Sequence, residues 1–230
     1  MTTLHQIIYD IRNLLRGGSL VADDDPISDR QLAFWINSTR AQLIRQQLDK
    51  GQTLSENVIQ SLPCLAVTQV DASTNPDLPS GCSIVRTVSK IPNLIEAKEE
   101  DMLLRISSPK IGTIPYSVQP FAAMPYTEYN RFGKKVIKAF FKEGYLYLIN
   151  TPMLDSIYIS GVFEDPEQLA EFNDCSDAPC FSHDGPYPIS NQMLDTLKRL
   201  IIDTHFKFIQ KPLSDNTNNS QHNLEEQQSK

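Results

Sequence analysis

Glycine is scarce in this chain. Nine glycines in 230 residues form neither Gly-x-x-x-x-Gly-Lys-Ser/Thr nor Gly-x-Gly-x-x-Gly, so no loop is marked out to cradle a phosphate with backbone N–H groups. Gly-x-Ser-x-Gly is missing too, which removes the nucleophile elbow of the α/β-hydrolases. The cysteines, Cys64, Cys82, Cys175 and Cys180, are too few for a disulfide scaffold at this length, and reduced cytosolic thiols are expected. No apolar run approaches the roughly 20 residues of a membrane-spanning helix. The start Met-Thr-Thr-Leu-His-Gln lacks the basic and apolar regions of a secretory signal. Basic excess is absent as well, since 21 Lys+Arg face 28 Asp+Glu for a net charge of −7. A protein so charged does not neutralise DNA phosphates over a broad footprint. DNA passing nearby without being gripped remains compatible with it.

What is present is an ordinary globular composition, 40% hydrophobic and 21% charged, long enough to bury a sizeable core. The best-punctuated stretch runs from Ile27 to Gly51. Ser28 and Gln31 fit a capping box; Leu32, Trp35, Ile36, Thr39, Leu43 and Ile44 recur at helical spacing; Gly51 follows Lys50 as a stop. Trp35, the single tryptophan, and Ile36 are the expected packing anchors between helices. An oligomer interface is the other role open to Trp35. The polar residues Arg30, Asn37, Arg40, Gln42, Arg45, Gln46 and Asp49 are read as the opposite face. Of these, Arg30, Asn37, Arg40 and Arg45 are candidates for contact with a neighbouring copy.

An earlier helix is expected from about Thr3 to Arg16, ended by Gly17-Gly18 and followed by the acidic turn Asp23-Asp24-Asp25. A short helical piece is expected at Ser55–Ser61. From Pro63 β-branched runs take over, at Cys64–Val70, Ser83–Val88, Met102–Ile106, Tyr116–Pro120, Val136–Phe141, Tyr145–Asn150 and Ser156–Phe163. Pro76–Gly81 reads as a rigid turn, and Lys142-Glu143-Gly144 as a hairpin loop. Asp165-Pro166 begins a short helix, and Ser190 caps a long one that ends before Pro212. The polar stretch after it has no core-forming residues and should be disordered alone. The expected fold is therefore α+β: a helical bundle of two N-terminal helices and a long C-terminal helix, with an inserted, mostly antiparallel β module. The expected divisions are residues 1–62, 63–165, 166–211 and a flexible tail 212–230.

Candidate chemistry is thin. Cys175-x4-Cys180-x2-His183 offers zinc-type donors, but the spacing is not that of a zinc ribbon, and half-buried loop thiols explain it more simply. His183-Asp184 has the form of a phosphohydrolase metal pair without its further ligands, and Asp23–Asp25 lacks the EF-hand pattern. No catalytic residue, cofactor or metal site is therefore assigned. A wall-degrading hydrolase built on carboxylates such as Glu164 and Asp165 is the enzymatic alternative. A monomeric host-binding β module is the third reading.

Four segments carry a likeness: Ile-Ser-Asp-Arg-Gln-Leu-Ala-Phe-Trp-Ile from Ile27 and on to Gln46, Leu78–Thr87, Ile159–Pro166 and Tyr187-Pro-Ile-Ser190. Together they resemble a structural protein of crAss-like tailed bacteriophages, and more broadly the head-to-tail adaptor rings of short-tailed phages. The resemblance implies a non-enzymatic virion protein, twelve copies of which form a ring beneath the portal around the DNA channel. It also implies portal and other ring proteins as partners, DNA passing without sequence-specific binding, no membrane, and a tail that orders on docking into an adjoining ring.

Overall fold

The computed structural model describes residues 2–15, 27–70, 84–97, 100–101, 103–109, 114–123, 136–151 and 154–206. The Gly17-Gly18 stop, the Asp23–Asp25 and Pro76–Gly81 turns, Cys82 and the stretch from Pro212 onward lie outside them.

Helix α1 (Leu4–Leu15) buries Leu4, Ile7, Ile8 and Ile11, which share one side at the helical repeat. Helix α2 (Asp29–Asp49) starts where Ser28 Oγ accepts from the Gln31 N–H at 3.2 Å, a cap of the kind that contributes about 1 kcal/mol. It stops in a Schellman turn: Gly51 N–H donates to Leu48 O and Gln52 N–H to Gln47 O, with Gly51 at φ +69°. The Ser55–Ser61 piece is a single 3-10 turn, Glu56–Val58, and the chain is already a strand at Gln60.

That strand, β1 (Gln60–Val70), does not wait for Pro63. Pro63 cannot donate to a ladder, and the register with β9 (Ser156–Gly161) shifts between Leu62 and Leu65, so the proline sits in a bulge. The remaining strands are β2 (Ile84–Thr87), β3 (Glu96–Ala97), β4 (Glu100–Asp101), β5 (Leu103–Ser107), β6 (Ser117–Val118), β7 (Lys138–Lys142) and β8 (Tyr145–Ile149). β3 and β4 pair with each other; the other seven form one sheet in the order β5-β9-β1-β2-β8-β7-β6. All its pairings are antiparallel except β6 with β7. The β7–β8 loop has Glu143 at φ 55° and Gly144 at φ 83°, the two left-handed residues that a tight twisted hairpin requires.

The expected helical bundle with an inserted β module and a long final helix is corrected here. The sheet is nearly closed, like a barrel: Tyr116 N–H, just before β6, donates to Ile106 O of β5 at 2.8 Å and ties the two edges together. One hydrophobic cluster then joins helices and sheet, from Ile7 and Ile36 to Leu62, Leu148, Ile159 and Leu197. The last helix is short. α3 (Asn191–Ile201) gives way to a wider π turn, Ile202–Phe206, which presents His205 and Phe206 to α2. The expectation of reduced thiols is corrected as well. Cys64 in the bulge and Cys175 form a disulfide, Cα atoms 5.2 Å apart, bridging 111 positions of sequence.

Candidate inter-subunit surface and the polar hub behind it

The structure separates the four polar residues of α2. Arg40 and Asn37 face inward; Arg30 and Arg45 are exposed. Arg40 is fully buried, and its guanidinium donates to Pro188 O (2.6 Å), Phe163 O (2.8 Å) and Val58 O (3.4 Å). Three separate segments are thus held by one planar fork, a task that suits arginine and not lysine. Burial pulls its pKa below the ordinary guanidinium value, while Tyr187 and Asp165 act in the opposite direction. Asn37 Nδ2 donates to Asp165 Oδ1 and Glu167 Oε1, both at 3.0 Å, and its Oδ1 accepts from the Tyr187 hydroxyl at 2.8 Å. Burial raises the Tyr187 pKa well above its usual range, so the hydroxyl stays a donor. These two residues join α2 to the end of the sheet and to the chain entering α3. They are unavailable to a neighbouring copy.

The exposed stripe of α2 is Arg30, Phe34, Ser38, Gln42, Arg45, Gln46 and Asp49. Phe34 stands 68% exposed in it, among the most exposed large hydrophobic side chains of the described residues. Its spacing of four from Arg30 and Ser38 was the available signal. Arg45 pairs with Glu164 at 2.9 Å, and both remain about half in solvent. On the other side Ile36 is fully buried, and Trp35 stacks on His205 at 4.4 Å between centroids and meets Phe206 edge-on at 5.5 Å. Burial lowers the His205 pKa from its usual value. The unfolded chain therefore binds the proton more readily, and stability should fall as pH drops below about 6.5 through the lowered folded value. Denaturation midpoints across that window should show the slope in the native protein and lose it in His205→Phe.

The metal candidates do not converge. Cys175 is bonded to Cys64, and the Cys180 thiol is pushed up first by burial and then by Asp174. His183 lies against the rings of His5 and Phe181, and Asp184 Oδ1 shares a 2.9 Å hydrogen bond with His5 Nδ1. Among the described residues no three His, Cys, Asp or Glu side chains come together as a metal site. The carboxylates of the hydrolase alternative have structural partners. Glu164 holds Arg45, while Asp165 accepts from Glu167 N–H at 3.0 Å and starts the 3-10 helix Pro166–Glu171. Among the described residues, a hollow of ≈ 820 Å³ between the start of β1 and residues 179–189 is lined by one carboxylate, Glu56, where glycoside cleavage ordinarily uses two.

A nearly closed sheet carries a helix with an exposed, arginine-bearing stripe, and residues 6–228 of this chain match a family model for phage tail ring proteins. The chain is a phage tail ring protein, a structural component of the virion. Within that class it belongs to the family described as phage tail ring protein 2, of the crAss-like phages. No curated protein matches it. No helix among the described residues is long and apolar enough to cross a membrane.

Proposed function

We propose that copies of this chain close into a twelve-fold, non-enzymatic ring in the head-to-tail connector, next to the portal and around the DNA channel. The family match over residues 6–228 carries the reading. The exposed stripe of α2 supports it, because an exposed aromatic with an arginine one turn away, Phe34 beside Arg30, is the composition of an interface centre. A net charge of −7 also suits a wall past which DNA must slide. Arg30, Phe34 and Arg45 are the contact residues in this reading; Asn37 and Arg40 support the helix from beneath.

Imaging of purified virions should place the protein as a ring on the tail axis, and its confinement to infected-cell lysate would refute the reading. Phe34→Asp should weaken self-association by tenfold or more, since interface-centre aromatics are worth upward of about 1.4 kcal/mol. Its thermal unfolding should stay unchanged, because the side chain already faces solvent. Unaltered oligomer mass in that variant would remove the α2 stripe from the contact.

A further inference from the structure

We propose that the cation-bearing patch around Tyr145 is a second subunit contact, which receives a carboxylate-rich surface of the adjacent copy. The inference rests on the ring reading and adds a partner chemistry to it. Along β8 the side chains alternate, Leu146 and Leu148 joining the main core while Tyr147 and Ile149 join a second, smaller buried cluster with Ile84 and Phe140. Cations rim that cluster at one end. Arg86 on β2 is registered opposite Tyr147, and Lys142 on β7 opposite Tyr145. The Arg86 guanidinium lies 4.7 Å and the Lys90 ammonium 5.8 Å from the Tyr145 ring centroid, and Lys142 lies 4.9 Å from that of Phe121. An aromatic face holds a cation without neutralising it. Among the described residues no carboxylate pairs with Arg86 or Lys90, Glu143 at the hairpin tip included.

The complementary charge is in the same chain. Between Lys142 and Lys198 there are ten acidic residues and no lysine or arginine. Several of these carboxylates have internal partners, but Glu171 and Asp177 are exposed and make no ion pair among the described residues. In a head-to-tail ring each copy must offer two different, mutually complementary surfaces. Arg86 and Lys90 on the basic rim and Glu171 and Asp177 in the acidic stretch meet that demand, and pairing them between copies satisfies charges that have no ion-pair partner among the described residues. A DNA backbone is the less favoured occupant. Three cations on a protein of net charge −7 give a small footprint inside a repelling field.

The test uses the full chain, mixed from isotopically light and heavy copies and joined by a zero-length carbodiimide coupling of amines to carboxylates. Mass spectrometry should find light–heavy links from Lys90 or Lys142 to carboxylates of residues 143–197. Arg86→Glu with Lys90→Glu should reduce assembly at least tenfold at low salt. Lys90→Glu alone, at an exposed position, should do so several-fold with an unchanged melting temperature. Links confined to single copies, or native assembly by the folded Lys90→Glu and double variants, would overturn the proposal. Normal assembly combined with loss of duplex-DNA retention would overturn it in favour of DNA. A ring seen in virions carrying the variants would count against this contact alone; no ring in native virions would count against the ring reading.

Discussion

Replacing Arg40 by methionine is expected to destabilise the full-length protein by about 3–5 kcal/mol. The substitution keeps an apolar stem in the core and removes the only groups that donate to Pro188 O, Phe163 O and Val58 O from this position. Each buried acceptor left without a donor costs on the order of 1–3 kcal/mol, and relaxation recovers part of the sum. Asp165, which Arg40 stabilises through its charge, is left with only neutral donors. Arg40→Lys should recover little, because a single ammonium cannot reproduce a fork directed at three carbonyls. Urea denaturation of the purified chain measures the effect. A loss below about 1 kcal/mol would mean that the hub contributes far less than its geometry implies. The expected phenotype is thus a folding defect, whereas polarity alone had pointed to Arg40 as an assembly residue.

The second large effect belongs to the Cys64–Cys175 disulfide. Removing a cross-link that closes a loop of 111 positions should cost about 3–5 kcal/mol under oxidising conditions, chiefly by freeing the unfolded chain. The bond ties the proline bulge of β1 to the turn after the 3-10 helix. That turn is otherwise closed by local bonds, Asp174 Oδ1 accepting from Ser176 and Ala178 N–H. Cys64→Ser should therefore match the native protein treated with reductant, and the two should coincide when both are reduced. Equal stability of the variant and the untreated native protein would show that the bond does not form in solution.

The sequence on its own determined the elements whose causes are local. Ser28 and Gly51 mark the ends of α2 because cap and stop depend on residues within a turn of each other. Glu143-Gly144 marks the hairpin because only a few residues readily adopt two successive positive φ values. Most strands are marked by β-branched runs between turn signals, and Asp165-Pro166 by its helix-start chemistry. The family likeness, too, lay in segments that can be read in order.

Tertiary structure decided what depends on partners far along the chain. Among the described residues the sheet edges are tied by the bond from Tyr116 N–H to Ile106 O, which no periodicity encodes. Pro63 resembled a boundary until β9 supplied the register that accommodates it as a bulge. Arg40 lies four residues after Ile36 and four before Ile44, on the buried side by angle, yet its charge argued for the surface. Only the carbonyls of Val58, Phe163 and Pro188, gathered by the fold, give that charge a place inside. Phe34 shows the converse, an aromatic side chain that the same helix leaves outside. Local geometry assigns an element its sides; which side is covered depends on what the rest of the chain brings against it.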